Sequence, residues 1–152
     1  MRTLSTSPAA LVALLLTSCT TDRPPAAPVT LAPHVDCDHL PPTPAHANEG
    51  FQGESSGGSV VALLFADPSD LSAGKELKIV WRVTGTGMAR FSATGPGSRS
   101  IAPVWGPEGH GGSNFNYPGE EWGTGFLFPT PGCWTVHVQR DDLTGSLSLP
   151  IS

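Results

Sequence analysis

Leu77-Lys78-Ile79-Val80-Trp81-Arg82-Val83-Thr84 is the stretch that decides the fold. Leu77, Ile79, Trp81 and Val83 fall on one side of an extended chain, and Lys78, Val80, Arg82 and Thr84 on the other. That period of two is the signature of a strand buried on one face. Gly85-Thr86-Gly87 supplies the turn that ends it. Upstream, the β-branched and aromatic run Val60-Val61-Ala62-Leu63-Leu64-Phe65 stops at Asp67-Pro68-Ser69-Asp70, a cluster of turn residues. Downstream, further short strands are expected over residues 88–94, 99–105, 121–128, 133–140 and 143–151, with Gly95-Pro96-Gly97 as one of the turns. About seven strands at this spacing predict an all-β sandwich over residues 58–152. No segment carries ten residues of helical periodicity.

Composition agrees. The chain has 152 residues with 18 Gly and 16 Pro, but only 8 Lys+Arg and 13 Asp+Glu. Gly and Pro break helix interiors, which argues against a helical bundle. The length suits one domain. A net charge of −5 disfavours a nucleic-acid partner, because binding phosphates requires a basic surface.

The N-terminal third reads differently. Met1-Arg2 supplies a positive charge, residues 11–16 an apolar core, and Thr17-Ser18-Cys19 small residues, the order of a secretory signal. The apolar stretch over residues 9–16 is too short to span a bilayer as a helix. Seven prolines follow (24, 25, 28, 33, 41, 42 and 44) with no apolar periodicity, as in a semi-rigid spacer. Residues 48–59, rich in Gly, Ser and Glu, are expected to be loop. The chain thus divides into a signal (1–18), a tether and N-terminal loop (19–57) and a sandwich (58–152).

Leu16-Thr17-Ser18-Cys19 resembles the lipobox of bacterial lipoproteins. The resemblance implies cleavage after Ser18, a diacylglyceryl thioether on Cys19, and a protein held by its lipid at the outer face of the cell membrane. Two or more acyl chains make such an anchor durable. Residues 126–138, Phe126-Leu127-Phe128-Pro129-Thr130-Pro131-Gly132-Cys133-Trp134-Thr135-Val136-His137-Val138, look like the late corner of immunoglobulin-like sandwiches of the polycystic-kidney-disease type. Trp134 stands where those domains place a tyrosine, so any corner bond must come from an indole N–H, which donates only. The stretch from Leu77 onward, with Gly111-Gly112-Ser113-Asn114 and Gly119-Glu120-Glu121-Trp122-Gly123-Thr124-Gly125-Phe126, also resembles actinobacterial surface lipoproteins. No activity carries over from that resemblance.

With Cys19 acylated, Cys37 and Cys133 remain, in a compartment that permits disulfides. If Trp134, Val136 and Val138 face the core, Cys133, Thr135 and His137 face outward. A Cys37–Cys133 bridge would then pin the tether to the outside of a sheet. Chain entropy assigns such a long loop about 4–5 kcal/mol at most. The alternative is a Zn or Cu site built on His34, Cys37 and His39, with Cys133 and His137 in reach, although the spacing follows no established zinc pattern.

The segment between Trp105 and Trp122 is long for a connection inside a compact domain. Trp105, His110, Asn114, Phe115, Tyr117 and Trp122 make it the candidate ligand-binding element, since aromatic faces beside hydrogen-bonding groups suit a cell-wall carbohydrate or a peptide. The competing expectation is that its aromatics plug the core. Glu108, His110, Ser113, Glu120 and Glu121 could supply acid, base and hydroxyl to a cell-wall hydrolase. No nucleophile-elbow, zinc-helix or phosphate-loop motif accompanies them, and adjacent Glu120 and Glu121 point to opposite faces of a strand. Asp67, Asp70, Asp141 and Asp142 are oxygen donors suited to Ca²⁺, but turn chemistry explains them equally. The sequence therefore points to a non-catalytic binding or structural module without a cofactor.

Overall fold

The computed structural model describes Cys37 and residues 50–152. Cys19, His34, His39, the signal and the rest of the tether lie outside the described residues. Among the described residues ten strands form two antiparallel sheets. The first holds β1 (Phe51–Gln52), β3 (Val60–Leu64), β4 (Glu76–Val83), β8 (Glu120–Leu127) and β7 (Trp105–His110), in that spatial order. The second holds β2 (Glu54–Ser56), β10 (Leu143–Ile151), β9 (Gly132–Arg140), β5 (Arg90–Gly95) and β6 (Arg99–Ile101). The order β3-β4-β8-β7 over β10-β9-β5 is the seven-strand immunoglobulin-like arrangement. β1, β2 and β6 are additions at sheet edges.

The alternation of residues 77–84 survives in β4. Leu77, Ile79, Trp81 and Val83 are buried between the sheets with Trp122, Thr124 and Phe126 of β8. The second sheet answers with Phe91, Ala93, Trp134, Val136, Leu147 and Leu149. Aromatic contacts knit the two: Trp81 lies 5.2 Å from Phe91, and Phe128 lies 5.4 Å from Trp134, centroid to centroid. The Trp81 indole N–H, which burial would otherwise orphan, donates to Thr124 Oγ1 at 2.8 Å.

Three expectations change. Residues 51–56, expected to be loop, form β1 and β2, which zip onto β3 and β10 through main-chain pairing; Phe51 enters the core, and the polar side chains around it did not advertise a strand. The expected strand over 99–105 divides into β6 in the second sheet and β7 in the first, because the chain changes sheets around Pro103. The long connection shrinks to residues 111–119, since β7 pairs with β8 across a bulge between Trp105 and Glu108. Gly106 and Pro107 are poor strand formers, and an edge position with a bulge is where such residues are tolerated.

Asp67 serves turn chemistry. Its carboxylate accepts from both the hydroxyl and the amide of Ser69, which holds its pKa below the ordinary value and caps the 3₁₀ turn Pro68–Asp70.

Cys37 and Cys133 form a disulfide with a Cα–Cα distance of 5.6 Å and a sequence separation of 96. Cys133 is exposed beside buried Trp134, so the bridge fastens the segment before the domain to the outer face of the second sheet. Loop-closure entropy sets an upper limit near ~4.7 kcal/mol for a loop of this length. Cys133→Ser is expected to cost about 2–3 kcal/mol, the lower part of what loss of a native disulfide costs a small domain. Urea unfolding of the oxidised protein and of the variant measures it, and equal midpoints would refute the estimate.

Candidate functional site

The outer face of the first sheet is divided between a covered half and an open half. Val61 and Leu63 of β3 and Val80 of β4 point outward there, an apolar trio on the side of the sheet that alternation assigns to solvent. Residues 111–119 fold over them. Phe115 is 1% exposed against Val61 and Val80, its ring 5.0 Å from that of Tyr117. The Tyr117 hydroxyl accepts from the Gly50 amide at 3.3 Å.

Polar ties hold the same loop. The Ser113 hydroxyl donates to the buried carboxylate of Glu121 and accepts from the Phe115 amide at 3.2 Å. Arg82 pairs with Glu121 at 3.0 Å and donates to the Gly119 carbonyl at 3.1 Å. These contacts commit Ser113 and Glu121 to anchoring the loop. Glu120 points the other way, to Arg140.

The open half is organised around Trp105. Register puts Lys78, Gly125 and Trp105 in one rank across β4, β8 and β7, and Val80, Gly123 and Glu108 in the next. Neither glycine has a side chain to raise the floor, so the Trp105 indole settles on it. A methyl group at Gly125 would collide with the pyrrole ring, and one at Gly123 would meet Trp105 Cζ3 at 3.4 Å and His110 Nε2 at 2.8 Å. The indole N–H donates to Glu76 Oε1 at 2.6 Å, which fixes the ring in its own plane. Lys78 Nζ sits 4.6 Å from the Phe65 centroid. Four large apolar side chains are exposed among the described residues, and three of them, Phe65 (57%), Val104 (54%) and Leu127 (42%), belong to this end of the sheet.

The six candidate binding residues are thus separated. Trp105 is half-buried and His110 exposed, both on the open half. Asn114 is exposed on the loop, Tyr117 half-buried beneath it and Phe115 buried. Trp122 points into the core, with the Arg140 guanidinium 5.3 Å from its ring. Sequence reasoning passed over Glu76, Lys78, Phe65 and the two glycines. The signal was present in Trp122-Gly123-Thr124-Gly125-Phe126, where glycine at every second position strips one face of a strand bare.

The second sheet's outer face holds a shallow depression of about 500 Å³ near Arg90, Ser92, His137 and Gln139. It lies along the same side of β9 as Cys133, the flank to which the disulfide fastens the preceding chain. Both sulfurs are spent in that bond, so neither is a thiolate for a metal. Among the described residues no three His, Cys, Asp or Glu side chains gather as a metal-ligand group. None of their helices is long and apolar enough to cross a membrane. Comparison with known proteins finds no family model, no curated protein and no solved structure that matches this chain.

Proposed function

We propose that this protein is a lipid-tethered, extracytoplasmic recognition module without catalytic activity, displayed on the cell surface by Cys19 and presenting its Trp105 face to a ligand of the cell envelope. The observation that carries this reading is the opposition of two features. The preceding chain is fastened to the outside of the second sheet through Cys133, whereas Trp105 and its apolar neighbours occupy the outside of the first. The covalent attachment through Cys133 is thus made on the sheet opposite to Trp105. A contiguous group of exposed apolar side chains with a polar rim is the usual mark of an interaction surface. The lipobox-like Leu16-Thr17-Ser18-Cys19 and the proline-rich spacer support the tether.

Detergent phase partitioning of protein expressed in a bacterium tests the display. The wild type is expected in the detergent phase, because two acyl chains bind micelles durably. Cys19→Ala is expected in the aqueous phase or with an uncleaved signal, its sandwich unchanged by circular dichroism. Recovery of the mature wild type in the aqueous phase would overturn the proposal.

A further inference from the structure

We infer that the Trp105 platform takes an oligosaccharide bearing acetamido groups; this rests on the reading of that face as a recognition surface. A pyranose ring has an apolar face of C–H groups and a perimeter of hydroxyls. It needs a flat apolar plate with hydrogen-bonding groups around the edge, not above it. Trp105 is such a plate. Its underside rests on Gly125 and Gly123, and its N–H is already satisfied by Glu76, so the ring is oriented before any ligand arrives. Preorganisation of this kind removes an ordering cost from binding.

Polar groups stand around the plate. The Lys78 ammonium lies over the Phe65 ring, whereas Glu108 and His110 follow Trp105 along the same face of β7. Together with Glu76 they offer both donors and acceptors to a ring of hydroxyls. Val104 and Leu127, exposed where apolar groups gain nothing from water, supply contact for a methyl group beyond the hydroxyl perimeter. An acetamido substituent carries that methyl together with a carbonyl and an N–H, and so matches a rim of mixed character. A plain hexose has no such methyl.

The tryptophans provide the test. Trp81, Trp122 and Trp134 are at most 5% exposed, so acrylamide quenching of the detergent-solubilised full-length protein reports on Trp105. A tetramer of β-1,4-linked N-acetylglucosamine is expected to protect the emission in a saturable manner, and the corresponding glucose tetramer to do so at least about tenfold more weakly. Gly125→Ala, whose methyl displaces the indole, is expected to weaken protection by a similar factor while the near-ultraviolet dichroism of the buried aromatics persists. Saturation-transfer NMR to the acetamido methyl gives the same comparison for Trp105→Ala, where emission no longer serves. Absence of protection by the N-acetylglucosamine tetramer, or equal protection by both sugars, would overturn the inference. So would quenching that rises when the protein alone is diluted, which would mean that a second copy covers this face. None of these outcomes bears on the detergent partitioning, so failure of the ligand and failure of the tether are distinguishable.

Discussion

Trp134→Ala is expected to lower the unfolding free energy by about 3–5 kcal/mol, enough to threaten folding of a domain this size. The side chain has no exposed surface, and its ring packs on Phe128 at 5.4 Å. Gly95 of β5 lies directly against the ring, so closely that a Cβ there would collide with the indole. Neighbours seated this tightly on two sides do not collapse readily into the space left by truncation, and residual cavity volume is what raises the cost. The indole also makes the corner bond, donating to the Thr130 carbonyl at 2.9 Å across the turn into β9. An indole thus closes back on the upstream main chain where immunoglobulin-like sandwiches use a tyrosine hydroxyl. Trp134→Phe keeps much of the packing but leaves that carbonyl without its donor. It is expected to cost about 1–3 kcal/mol. Urea unfolding of both variants measures the pair, and an alanine variant within about 1 kcal/mol of the wild type would contradict the argument.

Arg140→Met is expected to cost about 3 kcal/mol, although it replaces a charge with an apolar side chain in a buried place. Arg140 is 1% exposed at the end of β9. Its guanidinium donates to the Val83 carbonyl at 2.7 Å and to the Gly87 carbonyl at 2.9 Å, tying both ends of the β4–β5 turn to the second sheet. It also lies over the Trp122 ring. Methionine preserves volume and supplies no donor, so the carbonyls lose the partners that made their burial tolerable. The ion pair with Glu120 contributes little to this sum, because the Glu120 side chain is 69% exposed and water screens it. Glu120→Gln is accordingly expected to change stability by less than about 0.5 kcal/mol. Thermal unfolding of the two single variants checks the asymmetry; equal losses would show that the pair, not the carbonyl bonds, holds the turn.

Residues 77–84 made the sandwich legible because period-two alternation is a property of the chain itself. The strands at 120–127, 132–140 and 143–151 were readable for the same reason. β1, β2 and β7 were not. Glu54, Ser55 and Ser56, like Gly106, Pro107 and Glu108, have no strand preference of their own and extend only because a neighbour's main chain pairs with them. Val80 was the understated clue to the covered face, an apolar residue on the polar side of β4 that required something over it. Phe115 answers it, but from 35 residues away, and no local pattern links the two. The expected pairing of Cys37 with Cys133 is present, and the outward direction of Cys133 followed from alternation alone. The open face was harder to foresee. Of its members only Trp105, Glu108 and His110 were singled out, because glycines and a lysine attract notice only after the register aligns them.

The Cys37–Cys133 bond also sets a length. If Cys19 carries the lipid as proposed, the domain would hang from a leash of 18 residues ending at Cys37, whereas without the bond the leash would run 31 residues to Gly50. At no more than about 3.5 Å per residue these are maximal reaches of roughly 60 and 110 Å. Under that proposal the bridge would nearly halve the radius within which the Trp105 face can search, and would suspend the domain by its flank instead of by its first strand.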